Sequence, residues 1–332
     1  MATGPGSNLE AQIRSQPAEL ERLVRSAKMR EQIHSAAEGL HRARRIWLVG
    51  TGTSLHAAEL GAAMIQQTGR SAVAVPSMQF VAWAPVIGPQ DAIVVITHTA
   101  ETAYALSTRA QAFLAGLQLV MITREGAGFP EVIETVPKET AETYTVSYTT
   151  ALLALAVIAR ELGAEGFEDE VLVRIPEAVA DAIADSGTDQ VALPERALVI
   201  AGAGPASITA REGALKIREG ARVLAEGYDA EYLLHGSAVP LTVRDGVVIL
   251  TPPDHEGFMP ALGRAAADAG IPVSGIHEPS DLSPLLAQIP LTVRLQILAY
   301  RFAAERGQDP DTVITGSWAD PDLWRIGAPR PS

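Results

Sequence analysis

The sequence has 332 residues, of which 47% are hydrophobic and 20% are charged, so it holds enough apolar material for two ordinary domains. The formal net charge is −13, and a chain this acidic repels nucleic acid and anionic lipid unless it carries a local basic stripe. The nearest basic run, residues 41–45, is short and falls at the end of a predicted helix, where the helix dipole favours cations. We therefore expect neither nucleic acid nor membrane as a partner.

The sequence contains no cysteine, which excludes disulfides, thiolate metal sites and cysteine nucleophiles within it. The seven histidines are scattered without His-x-x-x-His spacing, so we predict no metal site. Residues 1–9 lack the apolar core of a signal peptide, and no uncharged apolar run reaches the roughly 18 residues of a membrane span. These features predict a cytoplasmic globular protein.

Residues 1–44 are predicted to form an N-terminal helical segment, with a helix over Leu9–Arg44 that is broken near Pro17. A first α/β domain is then predicted over residues 45–186. Its apolar runs are uninterrupted rather than alternating, which suits strands covered by helices on both faces. The predicted strands are Ile46–Val49, Ala92–Thr97 and Leu119–Ile122, and the predicted helices are Thr102–Ala115 and Ser147–Leu162.

A stretch with Pro and Asp, Ser186–Glu195, separates this domain from a second one over residues 195–306, and residues 307–332 form a C-terminal tail. Gly50 and Gly202 each follow an apolar run and lie 152 positions apart (202 minus 50), a spacing that indicates an internal duplication. Strands are predicted at Leu198–Ala201, Val247–Thr251 and Pro272–Ile276, and helices at Phe258–Ala269 and Pro290–Arg306. The predicted fold class is α/β, with two similar three-layer αβα halves and parallel sheets.

The two glycine-rich turns do not favour a dinucleotide cofactor. Gly50-x-Gly52 lacks the third glycine of the fingerprint, and Gly204 of the second turn is followed by Pro205. A lone Gly-x-Gly after a strand is compatible with any anion at a helix N-terminus. No cofactor is predicted.

The segment Thr97–Thr102 follows a predicted buried strand and opens a helix, at the sheet edge where ligands of open parallel sheets bind. Its alternating hydroxyls and the free amides of the helix's first turn suit a phosphate. Helix capping by Thr97, Thr99 or Thr102 is the structural alternative. Ser54, after the preceding strand, offers another hydroxyl at the same edge.

Glu212, Lys216 and Glu219 are spaced i, i+4 and i+7, so they share one helix face. A carboxylate beside an ammonium suits proton transfer next to a carbonyl, but a surface salt bridge has the same spacing. Lys216 is one of three lysines in a chain that otherwise uses arginine. His235 suits either a catalytic or a packing role.

These segments resemble the isomerase half of glucosamine-6-phosphate synthase, a tandem sugar isomerase (SIS) family. The resemblance runs from about Leu9 to about Arg306. The matching segments are Ile13–Pro17, Gly52-Thr53-Ser54, Thr97–Thr102, Glu212–Glu219, Ala225-Glu226 and His235-Gly236.

The resemblance implies roles for several of these residues. It makes Glu219 the base that moves a proton between C1 and C2, His235 the group that assists ring opening, and Lys216 a neighbour of the enediol oxygens. It also implies a homodimer in which His235 reaches the neighbouring site. The substrate phosphate would be held by Ser54, Thr97, His98, Thr99 and Thr102, with Thr53, Glu101 and Ser147 as further substrate contacts.

The sequence departs from the family at several places. Ala100 replaces a usual glycine, His98 a usual glutamine, and Thr149 a frequent lysine. The sequence has neither the family's glutaminase domain nor a cysteine to hydrolyse glutamine. The tail, Asp309–Ser332, has no lysine to form the family's Schiff base, and carries Trp318, Trp324 and Arg325 instead.

Three hypotheses follow. The first is an enzyme that isomerises and deaminates, or deglycates, a 6-phosphorylated amino sugar or fructosamine without glutamine. The second is a non-catalytic phosphosugar sensor that regulates a partner protein, which needs the phosphate turn but no proton shuttle. The third is the synthase's isomerising activity alone, retained without glutamine use.

Overall fold

The computed structural model describes residues 4–83, 85–251 and 257–322. The chain divides into two compact units, each assembled from separate stretches of sequence. The first unit comprises Ala18–Glu139, Val146–Arg174 and Ile314–Ser332. The second unit comprises Met1–Pro17, Thr140–Thr145 and Ile175–Val313.

The strands of the first unit form a parallel sheet in the order β2-β1-β3-β4-β5. Three of them lie where the sequence predicts strands, because their residues are buried on both faces. The strands are β1 Arg45–Gly50, β2 Ala72–Pro76, β3 Asp91–Ile96, β4 Gln118–Thr123 and β5 Val132–Glu134. The two that were not predicted, β2 and β5, are short strands at the sheet edges and only partly buried, so they lack the apolar run that marks the others.

Helices flank this sheet. Helix α1 Ser7–Val24 comes first in the chain and is divided between the units after Pro17. The helices that contact the sheet are α2 Ala27–His41, α3 Thr53–Gln66, α4 Ser77–Ala82, α5 Ala103–Leu114 and α6 Val146–Glu161, and the short α7 Asp169–Leu172 contacts α6. Helices α3 and α6 pack together beside β1 and β4. Phe80 of α4 and Ala105 of α5 join a core with Trp47, Val49 and Ile93 of the sheet. A 3₁₀ turn, Gly316–Ala319, follows in the tail.

The expected helix break near Pro17 is wrong. Helix α1 passes through Pro17 and ends at Val24, and α2 starts after Ser26, whose hydroxyl accepts a 3.2 Å hydrogen bond from the amide of Met29. A proline inside a helix costs about 3 kcal/mol, and burying apolar side chains such as Leu20 and Leu23 on one face offsets that cost. The cap at Ser26 therefore sets the break.

The second unit has a parallel sheet in the order β7-β6-β8-β9. The strands are β6 Ala197–Gly202, β7 Leu224–Asp229, β8 Gly246–Thr251 and β9 Val273–His277. The helices are α8 Ile175–Ala184, α9 Pro205–Ala221, α10 Ala230–Tyr232, α11 Phe258–Asp268 and α12 Gln288–Glu305, with a π-helical turn at Leu233–Ser237. Strand β7 was not predicted because Gly227 interrupts it; a Cβ there would lie 2.3 Å from the Arg211 amide nitrogen, so glycine lets α9 pack against the strand.

Helices cover both faces of the second sheet as well. Ile217 of α9 and Leu295 of α12 belong to one buried cluster, and Leu233 and Met259 belong to another. The structure thus confirms an α/β protein with two parallel sheets and flanking helices. The internal duplication stays a prediction, although Gly52 (φ 54°, ψ −130°) and Gly204 (φ 54°, ψ −129°) have the same backbone conformation.

None of the described helices has both the length and the hydropathy that a membrane crossing requires. Within the described residues, His, Asp and Glu side chains form no group of three that could hold a metal ion.

Candidate functional site

The turn between β1 and α3 places Thr53 and Ser54 at the first turn of a helix. A Cβ on Gly50 would lie 2.4 Å from the Ser54 carbonyl oxygen, and Gly52 has a positive φ, so the turn requires glycine at both positions. No side chain caps α3. Ser54 is half-buried at the carboxyl end of the sheet. This is the ordinary place for a ligand in a parallel sheet.

The segment Thr97–Thr102 lies at the same edge, because β1 and β3 are parallel neighbours with Val49 opposite Val95. Thr97 is 3% exposed, and its hydroxyl has no hydrogen-bond partner among the described residues. Thr102 occupies the N-cap position of α5, but its side chain makes no cap hydrogen bond. Helix capping therefore does not account for either hydroxyl. The hydroxyl of Thr99 accepts a 3.2 Å bond from the Glu101 amide.

Ala100 has a φ of 56°, in the left-handed region. Side chains with a Cβ pay about 1–2 kcal/mol there, which glycine avoids. Ala100 is buried within the turn. The chain therefore keeps the backbone shape that a glycine would give, at a cost in stability.

A chain of hydrogen bonds joins this turn to helix α6. The amide of Glu139 donates to His98 Nε2 at 3.0 Å, and the Glu139 carboxylate accepts from the Ser147 amide at 2.9 Å. Because Nε2 accepts, we assign His98 as the neutral tautomer with its proton on Nδ1. Burial, then the charges of Arg124 and Lys138, lowers the pKa of His98 to about 4. Sequence reasoning found His98 and Ser147 but missed Glu139.

Two cations also lie at this turn, and sequence reasoning missed both. Arg124 donates from its amide to the His98 carbonyl at 3.1 Å and from Nε to the Thr99 carbonyl at 3.2 Å. Lys138 binds the exposed Glu101 carboxylate at 2.8 Å. Arg124 directly follows β4. Ligands of parallel sheets bind at the carboxyl ends of the strands, so Arg124 could have been predicted on the same grounds as Thr97–Thr102. The turn combines hydroxyls and positive charge, which suits an anion.

In the second unit, helix α9 brings Glu212, Lys216 and Glu219 together. Lys216 Nζ lies 3.7 Å from Glu212 Oε1 and 2.5 Å from Glu219 Oε2. The side chains of Lys216 and Glu212 are 1% and 0% exposed, whereas that of Glu219 is 23% exposed. The surface salt bridge considered from the sequence is therefore wrong. This is a buried charge cluster with one carboxylate at its edge.

Opposing influences act on the Glu219 carboxyl. Burial raises its pKa above the ordinary value, the charge and hydrogen bond of Lys216 lower it, and the net direction is upward. A carboxylate with a raised pKa can both take and return a proton nearer neutral pH. The cluster therefore has the chemistry of a general base that is held by an ammonium.

His235 is not joined to this cluster. It lies in the π-helical turn with φ −81° and ψ 39°, and Gly236 follows with a φ of 110°. Its side chain is 75% exposed, and Glu231 lies 4.0 Å away. Within the described part of the chain, no hydrogen bond or ion pair links it to Lys216 or Glu219. Of the tail residues singled out from the sequence, Trp318 is exposed, and Trp324 and Arg325 lie outside the described residues.

Comparison with known proteins agrees with these features. Residues 39–159, which include β1, Ser54 and the Thr97–Thr102 turn, match the SIS domain family. The chain carries an SIS domain. The resemblance drawn from the sequence is thereby confirmed. The SIS domain accounts for the first parallel sheet and for the position of the hydroxyl-rich turn at its carboxyl edge.

Full-length relatives and solved structures extend the likeness beyond the SIS domain. Glutamine–fructose-6-phosphate aminotransferase (isomerizing) from Pyrococcus horikoshii is 30% identical over 312 residues, which cover 83% of this chain and 51% of that protein. The chain thus spans about half the length of such curated relatives.

Two solved structures share the fold at 19% identity. Tagatose-6-phosphate ketose/aldose isomerase from Escherichia coli has a TM-score of 0.80 and covers 94% of this chain and 99% of that one. Glucosamine-6-phosphate deaminase from Thermotoga maritima has a TM-score of 0.72, and the match covers 92% of this chain and 97% of that one. These likenesses show that the chain shares the fold of these structures over nearly its whole length.

Proposed function

We propose that this chain is an enzyme that acts on 6-phosphorylated amino sugars or fructosamines by ring opening and proton transfer between C1 and C2. The observation that carries the proposal is the buried Lys216–Glu219 pair, at 2.5 Å, with a raised pKa at Glu219. A purely structural ion pair does not require a partly exposed carboxylate with a raised pKa. An isomerase requires a base of this kind beside the substrate.

The first unit supplies phosphate binding in this proposal. The hydroxyls of Ser54, Thr97, Thr99 and Thr102 would donate hydrogen bonds to the phosphate oxygens, and Arg124 would add positive charge. Thr53, His98, Glu101 and Ser147 complete the residues assigned to substrate binding. His98 is neutral at physiological pH, so we assign it a hydrogen-bonding role rather than a charge.

The second unit supplies the proton chemistry. Glu219 would take a proton from the carbon next to the carbonyl and return it to the former carbonyl carbon, while a hydroxyl proton passes from one sugar oxygen to the other, so that no net proton is gained or lost. Because Lys216 is fully buried, we assign it to holding and tuning the Glu219 carboxylate as well as to stabilising the oxyanion. These 332 residues contain no cysteine, so a thiol route to ammonia from glutamine is not part of the proposal.

Solvent deuterium incorporation tests the proposal. Wild type is incubated in D₂O with fructose 6-phosphate or glucosamine 6-phosphate, and label at C1 or C2 is read by NMR. Glu219→Gln is expected to lower exchange by about 10²–10⁴-fold. Glu305→Gln, at a half-exposed carboxylate in the last turn of α12, is the matched control and should exchange at the wild-type rate. Binding without exchange in wild type would refute catalysis and favour the phosphosugar sensor.

We also propose that the chain is a homodimer in which His235 of one subunit serves the Glu219 of its partner. Its support is that His235 is 75% exposed and lies among the exposed apolar side chains of Tyr232, Leu234 and Val239. Mixing two inactive variants, Glu219→Gln and His235→Ala, tests this. A shared site restores activity, because one site of each mixed dimer then has both residues intact. No recovery on mixing, or a monomer with full activity, contradicts it.

A further inference from the structure

A short segment of the second unit, Asp309–Asp311, follows α12 and is hydrogen-bonded both to the start of α1 and to the segment Thr140–Thr145. We call it the hook. Asp309 accepts a 3.0 Å hydrogen bond from the Gly6 amide. The Asp311 carboxylate accepts hydrogen bonds from the amides of Asn8 and Leu9 at 3.0 and 2.8 Å. These amides lie in the first turn of α1, where the helix itself offers them no acceptor. These partners are about 300 positions apart in the sequence, so the contact is purely tertiary.

The other side of the hook binds the segment Thr140–Thr145. The hydroxyl of Thr143 donates to the Pro310 carbonyl at 2.7 Å, and the amide of Glu142 donates to the Asp311 carbonyl at 3.0 Å. The Glu142 carboxylate accepts from the Val313 amide at 2.6 Å. Thr143 is 1% exposed, so its hydrogen bond is shielded from water. The hook is therefore held with little freedom to move.

The buried Pro310 ring is the part of the hook that touches helix α9. A Cβ added to Gly220 would lie 3.3 Å from Pro310 Cβ and 3.7 Å from Thr143 Oγ1. On the other side of the ring, a Cβ on Gly6 would lie 3.0 Å from Pro310 Cγ. Glycine at both positions lets the ring sit close to the backbone on each side. Gly220 immediately follows Glu219, so the ring packs against the turn that carries the carboxylate.

On its apolar side the last turn of α9 packs into the core, where Ile217 and Ala221 are fully buried, and at Gly220 its neighbour is the hook. The helix ends at Ala221, and Arg222 follows in the left-handed region with a φ of 54°. A backbone displacement at Gly220 would therefore move Glu219 relative to Lys216. Their contact of 2.5 Å is short enough to be sensitive to a shift of a few tenths of an ångström.

We propose that the hook, through Pro310 and Thr143, is a positioning element for Glu219 that fixes the last turn of α9 so that the carboxylate stays against Lys216. This inference rests on the proposed function, since it gives Glu219 the role of base. Neither Pro310 nor Thr143 touches the reacting atoms in this proposal. They act through the backbone at Gly220.

Two variants test the hook without removing catalytic groups. Gly220→Ala adds a methyl group against Pro310, and Thr143→Val removes the hydroxyl but keeps its shape. Alanine is a better helix former than glycine, so the urea midpoint of Gly220→Ala is not expected to fall. The matched control is Gly263→Ala in α11, where the added Cβ meets only ordinary contacts at 3.5 and 3.6 Å.

Both hook variants are expected to lower the maximal exchange rate about tenfold with KM little changed, whereas Gly263→Ala leaves both unchanged. The Glu219 pKa, read from the ¹³C shift of its labelled carboxyl group, should rise in both variants. The hydrogen bond and charge of Lys216 lower this pKa, and a looser contact weakens both, so the pKa-raising effect of burial becomes more dominant. The carboxyl measurement needs no turnover. Absence of exchange in wild type would therefore refute the proposed function alone, and an unchanged Glu219 pKa in both variants would refute the hook.

Discussion

The ammonium of Lys216 donates a 2.5 Å hydrogen bond to the carboxylate of Glu219 one helical turn away, and it does so with no exposure of the lysine to solvent. Two carboxylates and one ammonium thus share a buried site on α9. Removing one partner of a buried pair leaves uncompensated charge, which costs far more than breaking a surface pair. The stability of the second unit should therefore depend on this lysine.

Lys216→Met is expected to destabilise the protein by about 3–5 kcal/mol, because it removes a buried cation that faces the buried Glu212 and the partly exposed Glu219. Equilibrium unfolding in urea at pH 7 measures the change. Lys28→Met is the control, because Lys28 is 68% exposed and solvent screens its pair with Glu134, so its loss should change the stability little. A loss no larger for Lys216→Met than for the control would contradict a structural role for the buried cluster.

His98 should make stability depend on pH between about 6.5 and 4. Its pKa falls from 6.5 to about 4 on folding, so the unfolded chain binds the proton first as the pH drops. The stabilisation is complete above pH 6.5 and is lost as the pH falls to 4, by up to about 3 kcal/mol. Urea midpoints across this window measure it.

The variant His98→Gln should show a weaker pH dependence in that window, because glutamine does not titrate. His34→Gln, at a side chain that is 71% exposed, is the matched control and should follow wild type. Parallel curves for wild type and His98→Gln would show that His98 is not buried in its neutral form.

Ala100→Gly should stabilise the protein by about 0.5–1 kcal/mol, since it relieves the strain of a φ of 56° and only part of that gain is offset by the freedom of glycine in the unfolded chain. Thermal unfolding measures the change. The same substitution at Ala103, inside the first turn of α5, should destabilise by a similar amount, because glycine lowers helix propensity there. Destabilisation by Ala100→Gly would count against the strained turn.

Arg124→Met should weaken the binding of fructose 6-phosphate about tenfold or more, since it removes a cation that binds the Thr99 carbonyl at the sheet edge. Isothermal titration calorimetry at two salt concentrations measures the affinity and its dependence on salt. The salt dependence should be weaker in Arg124→Met than in wild type, because one charge has been removed from the site. Arg25→Met, at a side chain that is 73% exposed directly after α1, should bind as wild type. Equal affinity of Arg124→Met and wild type would exclude Arg124 from the phosphate site.

Much of the fold could be predicted from the sequence because its central strands are uninterrupted apolar runs. Strands β1, β3, β4, β6, β8 and β9 lie within two residues of their predicted positions. The short edge strands β2 and β5 carry no such signal, and β7 is interrupted by Gly227, which only the packing of this strand against α9 explains. Pro17 marks a helix break by local rules, yet the buried face of α1 overrides it.

The residues of the candidate site also fall into two groups, those that the sequence predicts and those that only the structure reveals. The hydroxyl-rich turn at Thr97–Thr102 and the face shared by Glu212, Lys216 and Glu219 follow from spacing alone, because a strand end and a helical period are local properties. Glu139 and Pro310 carry no local signal. Their roles depend on hydrogen bonds and contacts to residues distant in the sequence.

The sequence by itself determined an acidic, cysteine-free α/β protein with a hydroxyl-rich turn after one buried strand and a three-residue charge face on one helix. Only the tertiary structure decided that Lys216 is buried, that His98 is neutral, and that the hook packs behind Glu219. The reason is physical: periodicity shows which residues share a face, whereas desolvation and hydrogen-bond partners depend on what the rest of the chain brings against that face.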